Sequence, residues 1–389
     1  MSAPVQTEQH GLTEHSHGGW GQVPVQTRSE RFTSVEHEAF PPVTGLEAEW
    51  KLTPVEKVRA LIDGELDGAP YAILYPEAAG TDVQWIDRSD AAIGTAGTPE
   101  ERAAANAWTS FEKALHIRLT GEAENLTVTR TGLGDTPRAA HTVISADKGA
   151  TGLVVLDNRG AARLSENLEI VLDDDANITV VSVQDWDDSS LHLASQFARV
   201  GRGATLKHII VSLGGSVVRV NPSAHLAGPG AEAELLGVYF ADAGQHLEQR
   251  VYVHHEAPHT RSRVTYKGAL NGEGARTVWV GDVLIGRDAA GTDTYEQNRT
   301  LVLSEGTRAD SIPNLEIETG DIEGAGHASA TGRFDDEQLF YLQARGITED
   351  EARRLVVIGF LSEIVQKIGE PVLEERLHLA LEAELAGTR

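Results

Sequence analysis

The chain has 389 residues, with 33 Lys and Arg against 59 Asp and Glu, and its formal net charge of -26 argues against nucleic acid or an anionic membrane as a partner because both would repel it. It contains no cysteine, so no disulfide, thiolate nucleophile or cysteine-held metal site can come from this chain alone. It has no apolar signal sequence and no apolar run long enough to span a membrane, so we expect a soluble, cytoplasmic protein of two or three domains.

Residues 1–42 are predicted to form a flexible leader, because they are rich in Gln, His, Gly, Ser and Thr and contain few periodic apolar residues. Three histidines in this leader, His10, His15 and His17, are candidate metal ligands. A histidine-bearing tail is more often simply solvated, and we favour that interpretation.

Residues 43–115 are predicted to form an N-terminal domain of mixed helix and strand. Two segments, Thr53-Pro54-Val55-Glu56 and Thr98-Pro99-Glu100-Glu101, have the form of a capping box with proline at the first helical position. Each is therefore expected to start a helix. The stretch between the two helices, from Tyr71 to Ile86, has the alternation typical of strands.

Short runs with apolar residues at every second position follow from residue 116 to about residue 330, separated by Gly, Asp and Asn. Three of them start just after Asp175-Ala176, Gly203-Ala204 and Gly230-Ala231, at intervals of 28 and 27 residues. A turn residue followed by a small residue, recurring at this interval, indicates the coils of a β-solenoid. The residues alone fit a β-sandwich or a jelly roll equally well.

Residues 331–389 are predicted to form a C-terminal helical domain. Thr348-Glu349-Asp350-Glu351 has the capping-box form and starts a helix that ends near Gly369, and Pro371 starts the next helix. The first of these two helices is apolar around much of its circumference. We therefore expect it to lie between its neighbours and another surface.

The sequence contains no recognisable catalytic motif: it lacks a phosphate-binding G-x-x-x-x-G-K-[ST] loop, a G-x-S-x-G elbow and an H-E-x-x-H zinc motif. Asp185, Asp187 and Asp188 leave open a carbohydrate-active β-helix enzyme, because glycoside hydrolysis needs two carboxylates on opposite sides of a bond. Their position beside Trp186 and Ser189 is more typical of a solvated turn. We therefore expect a protein that is not an enzyme.

His254, His255 and His259 have spacings that are found in metal sites. His254 and His255 are adjacent in a predicted strand and face opposite sides, so at most one of them can join His259. We favour ordinary surface or packing roles for all three.

The stretch from Ser311 to Arg345 changes from strand to helix, and His327 lies at the change within a run of small residues. It contains P-x-L-E-I from Pro313, H-A-S-A-T-G from His327 and F-D-x-x-x-L-F-Y-L-x-x-R-G-I from Phe334. In this order the motifs resemble the C-terminal signature of the SufB/SufD family of iron-sulfur cluster assembly scaffolds. The pattern continues upstream, and the resemblance covers about residues 240–360, through the segments Tyr266-Lys267-Gly268, Thr292-Asp293 and Gln297-Asn298-Arg299.

The resemblance implies a mainly β protein with flanking helices, built on a right-handed parallel β-helix over residues 116–330. The absence of cysteine, with Ala325 two positions before His327, makes the SufD branch of the family the closer match. His327 then corresponds to the SufD histidine proposed as a cluster ligand shared with a SufB cysteine. The resemblance thus implies a transient iron-sulfur cluster at that interface, no cofactor held by this chain alone, and a flavin as an option on the assembled complex.

The resemblance also implies two partners: a SufB paralogue, joined through the last coil of the β-helix, and the ATPase SufC, docked on the C-terminal helices. The isolated chain is in addition a candidate homodimer. The function expected is a non-catalytic scaffold, and the alternatives are a carbohydrate-active enzyme or a purely structural partner of SufB. The residues expected to bind partners are Leu315 and Ile317 on the coil edge and Phe340, Tyr341, Leu342, Arg345, Leu355, Gly359 and Phe360 on the helices.

Overall fold

Strands of similar length follow one another along most of the chain in a computed structural model that describes residues 31–333 and 336–386. The strands are β1 (Thr81–Asp87), β2 (Lys113–Leu119), β3 (Leu126–Thr131), β4 (Gly134–Ala146), β5 (Thr151–Gly160), β6 (Ala162–Leu172), β7 (Asn177–Trp186), β8 (Leu191–Val200), β9 (Thr205–Ser212), β10 (Val217–Leu226), β11 (Glu232–Ala241), β12 (His246–His255), β13 (Arg261–Leu270), β14 (Arg276–Ile285), β15 (Thr292–Val302), β16 (Arg308–Ile317) and β17 (Ile322–Gly332). The helices are a 3-10 turn at His37–Ala39, α1 (Val55–Asp63), α2 (Arg102–Ser110), α3 (Asp336–Gln343), α4 (Glu349–Val365) and α5 (Pro371–Leu385).

The strands alternate between two sheets as the chain advances. The first sheet has the order β1-β2-β4-β6-β8-β10-β12-β14-β16, and the second has the order β3-β5-β7-β9-β11-β13-β15-β17. Neighbouring strands are parallel except β1 and β2, which are antiparallel. A chain that adds one strand to each sheet per circuit forms a parallel β-helix. The predicted fold is confirmed, and the antiparallel sandwich and jelly roll are wrong.

The predicted turn signals each precede a strand of the second sheet. Asp175, Gly203 and Gly230 have φ values of 63°, 60° and 71°, in the left-handed region that glycine adopts without strain. The strands β7, β9 and β11 start just after these turns and pair in register. The interval of 28 or 27 residues is therefore one full coil of the β-helix, as predicted.

Apolar side chains fill the space between the two sheets. They are the inward-facing residues of successive coils, for example Ile178, Leu206 and Ala233, which are stacked in register. Neighbouring parallel strands lie about 4.8 Å apart, so each such column is a continuous line of contact along the β-helix.

A different part of the chain covers the outer face of each sheet. On the first sheet, Trp50 and α1 pack against Leu193 and Val217. On the second sheet, α4 and α5 pack against outward-facing residues that include Ile209 and Val238. The helix α4 also contacts α3 and α5, so it lies between the sheet and its neighbours, as its apolar circumference predicted.

The two predicted helix starts in the N-terminal region are wrong in detail. The helix α1 begins at Val55 and α2 begins at Arg102, and neither has a side-chain cap. Thr53, the predicted cap of α1, instead donates its hydroxyl to Glu248 Oε2 of β12 at 2.8 Å. A long-range contact has replaced the local one.

The two predicted starts in the C-terminal region are confirmed. The hydroxyl of Thr348 accepts a hydrogen bond from the backbone N–H of Glu351, and Pro371 is the first residue of α5. Both devices act within one helical turn, so they depend on no other part of the fold.

The predicted segment boundaries after residues 42, 115 and 330 stay predictions. In the structure β2 begins at Lys113 and β17 ends at Gly332. The leader histidines His10, His15 and His17 lie outside the described residues. None of the described helices has the length and the apolar character that a bilayer crossing requires.

Candidate functional site at the open end of the β-helix

The last coil of the β-helix is open on one side. In the described part of the chain β16 pairs with β14 alone and β17 pairs with β15 alone. The outer edges of both strands therefore carry backbone N–H and C=O groups available to another strand. Leu315 and Ile317, predicted to lie on the coil edge, are at the end of β16, and the corner to β17 follows them.

The inward-facing side chains of this coil are partly accessible to solvent. Leu315, predicted to bind a partner, packs against the interior apolar cluster. Ile317 lies in register beside Ile285 and so faces the same way. Ile285 is fully buried, whereas Ile317 is 46% exposed, because no further coil follows it. The interior of the β-helix thus opens at this end, which we call the mouth.

A β-bulge at Glu323 decides which way His327 faces. Thr292 of β15 pairs with Ile322, and the next residue, Asp293, pairs with Gly324. Glu323 therefore has no partner residue on β15. Because side chains alternate between the two faces, this extra residue moves every later side chain of β17 to the other face. His327 consequently faces the interior at the mouth.

His327 lies in register beside Glu296 of β15. Its Nδ1 is 3.9 Å from Glu296 Oε1, and its side chain is 43% exposed whereas that of Glu296 is 1% exposed. The imidazole is thus accessible from outside while a buried carboxyl lies behind it. Sequence reasoning identified the histidine and missed the glutamate.

The carboxyl of Glu296 is buried. Neither of its oxygens makes a hydrogen bond of ordinary geometry with the described part of the chain. Burial, followed by the nearby charge of Asp282, raises the pKa of Glu296 to about 8, and the backbone N–H of Asn314 offsets this only partly. Gly281 provides the room, because a Cβ atom there would lie 2.4 Å from Glu296 Oε2.

Hydroxyl and amide groups complete the lining of the mouth. The hydroxyls of Ser329 and Ser311 are 2.8 Å apart and join the two sheets, and Asn298 Nδ2 donates to Ser311 Oγ at 3.0 Å. With His327 and Glu296 these groups offer nitrogen and oxygen donors. Imidazole suits iron, but iron-sulfur clusters are held mainly by thiolates and the chain has no cysteine, so these groups alone could not hold a cluster.

Beside the mouth, α3 and α4 contact each other and leave apolar side chains in solvent. Phe340 is 73% exposed, and Tyr341 and Leu355 are also exposed. The guanidinium of Arg345 lies over the Tyr341 ring, 4.5 Å from its centroid. Leu342 is half-buried. Exposed aromatic residues with an arginine are typical of a protein-binding surface.

A groove of about 510 Å³ lies between α4 and the second sheet, and Leu355, Gly359 and Phe360 line it. Two cations, Lys267 and Arg299, lie over the Phe360 ring at 4.6 and 5.5 Å from its centroid. Lys267 also forms an ion pair with Glu363. The predicted helix residues are therefore divided between an exposed aromatic surface and this groove.

The aspartates considered for glycoside hydrolysis have other partners. Asp185 is half-buried and lies 3.5 Å from the guanidinium of Arg376 on α5. Asp187 and Asp188 are exposed, and Asp188 accepts a hydrogen bond from Gln245 at 3.1 Å. This geometry gives no support to the carbohydrate-active alternative.

The three neighbouring histidines do not form a common site. His255 is buried and forms hydrogen bonds with Thr260 and Ser262 at 2.8 and 3.0 Å, so its role is in packing. His259 is exposed in a turn with φ of 56°. His254 faces outward and lies in register beside His225 of β10. The spacing of residues in the sequence did not indicate this neighbour.

The fold and the site define a parallel β-helical protein with an open end lined by an imidazole and a carboxyl. The family model of the SUF system FeS cluster assembly, SufBD core domain, matches residues 128–360. The chain therefore belongs to the SufBD family of iron-sulfur cluster assembly proteins.

Mycobacterial relatives agree with this assignment. The chain is 48% identical to the "Iron-sulfur cluster assembly SufBD family protein Rv1462" of Mycobacterium tuberculosis, over 93% of this chain and 94% of that protein. It is 45% identical to the family protein ML0594 of Mycobacterium leprae, over 92% and 94%. Mycobacterium tuberculosis has a second member, Rv1461, which is 31% identical over 52% of this chain and 24% of its own length. The family thus includes paralogues within one organism.

Proposed function

We propose that this chain is a SufD-type, non-catalytic scaffold subunit of a SufBCD-type complex that assembles iron-sulfur clusters in the cytoplasm. The observation that carries the proposal is the position of His327, inward-facing at the mouth and still 43% exposed. Clusters and their thiolate ligands are most readily handled in a reducing compartment, which supports the cytoplasmic location.

In this proposal a SufB-type paralogue continues the β-helix across the open edges of β16 and β17. Strand addition uses the free backbone groups of the edge, and the apolar side chains Leu315 and Ile317 become covered. The partner's cysteine then faces His327, so sulfur and nitrogen ligands meet around the cluster, which is the cargo of the complex. By itself the chain holds no cofactor in this proposal, and a flavin is an option on the assembled complex only.

The C-terminal helices are proposed to bind the ATPase SufC. The printed sequence has no phosphate-binding loop, so ATP hydrolysis is assigned to that partner. Phe340, Tyr341 and Arg345 offer an exposed aromatic surface, and Gly359 and Phe360 line the neighbouring groove. A partner that moves α3 and α4 would act close to the mouth.

One experiment tests both the assembly and the ligand role. The chain is co-expressed with its SufB-type paralogue and SufC, the complex is isolated, and iron and sulfide are measured after cluster loading. We expect His327→Ala to leave the complex intact and to lower the iron and sulfide content, because one ligand is missing. His259→Asn, an exposed histidine in a distant turn, is the matched control and should load as the wild type does.

Three outcomes are informative. Failure of the wild-type chain to co-elute with either partner would contradict the scaffold proposal as a whole. Equal cluster content in wild type and His327→Ala would remove the ligand role and leave a purely structural partner of SufB. Cleavage of a glycan by the chain alone would favour the carbohydrate-active alternative.

A further inference from the structure

A second group of metal-binding side chains lies on the outer face of the first sheet, away from the mouth lining. His225 of β10 and His254 of β12 occupy the same register position in neighbouring coils. Their flanking residues Ala224 and Val253 belong to the interior cluster, so the two imidazoles face outward. Glu256 follows directly after β12.

The three side chains converge on one point. His225 Nδ1 is 2.7 Å from Glu256 Oε1, and His254 Nδ1 is 3.3 Å from the same oxygen. One ligand atom from each residue lies within 4.8 Å of the others. The side chains are 25%, 22% and 31% exposed, so they are ordered by packing but reachable from solvent.

The surroundings hold the two rings in place. His225 Nε2 lies 3.4 Å from the hydroxyl of Ser223, and the His225 and His254 rings are 5.6 Å apart, centroid to centroid. Gly286 of the next coil lies beside the His254 ring, where a Cβ atom would be in van der Waals contact with Nε2 at 3.4 Å.

We propose that His225, His254 and Glu256 bind a divalent first-row transition-metal ion. Two imidazoles and one carboxylate are the donor set of many zinc and iron(II) sites, and water fills the remaining positions. The side chains need to move little to bind a metal ion. Metal–nitrogen and metal–oxygen bonds of about 2.0–2.2 Å would replace the hydrogen bonds that now join the two imidazoles to the carboxylate. Each imidazole would offer Nδ1 and keep Nε2 for a neighbouring group.

The position of this site is separate from the mouth. The register runs from His254 to Leu284 of β14 and on to Glu316 of β16, which is the edge strand. Two strand spacings, or about 10 Å, therefore separate the site from the edge. Metal binding at this site needs no partner chain, so it can be tested independently of the proposed scaffold function.

The test is titration of the untagged, chelator-treated full chain with Co²⁺, whose visible absorption reports nitrogen and oxygen ligands, followed by displacement with Zn²⁺. We expect saturation with one equivalent at this site. His225→Ala and His254→Ala should each weaken binding at least about tenfold, which corresponds to the loss of about 1.4 kcal/mol. Glu256→Gln keeps the size and hydrogen bonds of the side chain and should weaken binding as well.

Two control variants assign the signal. His10, His15 and His17 replaced together by Ala, and His259→Asn alone, should leave Co²⁺ binding unchanged. Circular dichroism and the Tm of each variant show whether it is folded, and Zn²⁺ should raise the Tm of the wild type but not that of Glu256→Gln. Binding that survives in the His225 and His254 variants, or that disappears with the leader histidines, would overturn the proposal.

Discussion

An inward-facing histidine has a different character in the middle of this β-helix and at its mouth. His208 of β9 lies in register between Val180 and Leu235 and is 2% exposed. Burial lowers the pKa of His208 to about 4, so its imidazole is neutral at physiological pH. His327 faces the same interior from the last coil and stays accessible. For an inward-facing imidazole, position along the β-helix therefore decides whether a partner or ligand can reach it.

His208 should make the stability of the protein depend on pH. Its pKa is about 4 in the folded chain and 6.5 in the unfolded chain, so below pH 6.5 the unfolded chain takes up a proton that the folded chain does not. Stability is therefore lost as the pH falls from 6.5 to 4, by up to about 1.4 kcal/mol per pH unit from this group. We expect His208→Leu, which continues the apolar column, to remove that part of the loss. Urea unfolding of both proteins near neutral pH and near pH 5 measures it.

The matched control for this measurement is His259→Asn, which removes an exposed imidazole at a left-handed backbone position that Asn tolerates. It should retain the pH dependence of the wild type. An unchanged pH dependence in His208→Leu would show that the buried imidazole is not the group responsible.

The sequence alone identified His327 as a candidate site residue but did not identify Glu296. The family motif fixes the histidine by its neighbours in the chain. The contact with Glu296 depends on the register of β15 and β17, which a single extra residue at Glu323 changes. Strict alternation from Ile322 would place His327 on the outer face. A bulge of one residue leaves no reliable trace in a sequence of small residues.

The helices show the same division between local and distant interactions. Thr348 and Pro371 act within their own helices, and both predictions are confirmed. Thr53 is drawn instead into a buried ionic cluster, where Glu248 also accepts from Arg219 at 3.2 Å. The cluster joins residues nearly two hundred positions apart. A capping box predicts a helix start only where no such distant acceptor competes.

Arg376 should stabilise the docking of α5 on the β-helix. Its guanidinium is 2.8 Å from Asp157 Oδ1, and Asp157 is 1% exposed. Arg376→Ala leaves that buried carboxylate with Arg159 as its remaining cation, at 2.6 Å. We expect the free energy of unfolding to fall by about 1–3 kcal/mol, measured by urea unfolding.

Arg353→Ala on α4 is the control for Arg376→Ala. Its pair with Glu349 is one helical turn away and both side chains are well exposed, so its loss should cost less than about 1 kcal/mol. Equal effects of the two substitutions would mean that the Asp157 pair adds nothing specific to the docking of α5.

For the whole molecule, repetition indicated a β-solenoid, the family resemblance decided between it and a sandwich, and neither determined the outer layers. The coil interval appears directly in the turn residues before β7, β9 and β11. Gly274 and Gly306 carry the same signal before β14 and β16, which belong to the other sheet, and so they do not continue the series of the first three turns. Which sheet each terminal region covers depends on matching surfaces far apart in the chain. No local pattern encodes that match.

The two ends of the β-helix differ in a way that bears on assembly. At the N-terminal end, β1 closes the first sheet as an antiparallel strand, and Leu74 pairs with Thr129 at the edge of the second. Tyr71 and Trp85 pack over the interior cluster at this end. At the other end, the described chain leaves β16 and β17 unpaired on their outer sides. The interior is covered at the N-terminal end and open at the mouth, so we expect association at the mouth.

Ile317 should be a determinant of that association. It faces the mouth and is 46% exposed, whereas Ile312 on the same strand is 37% exposed and faces outward. Ile317→Glu places a charge where a joined β-helix would exclude water, so we expect it to weaken binding to the SufB-type paralogue at least about tenfold. It should also abolish any homodimer of the isolated chain. Sedimentation velocity over a concentration series measures both, and Ile312→Glu is the matched control. If Ile317→Glu and Ile312→Glu bind the SufB-type paralogue equally well, the partner does not cover the inward side chains at the mouth. The strand edges alone must then form the contact.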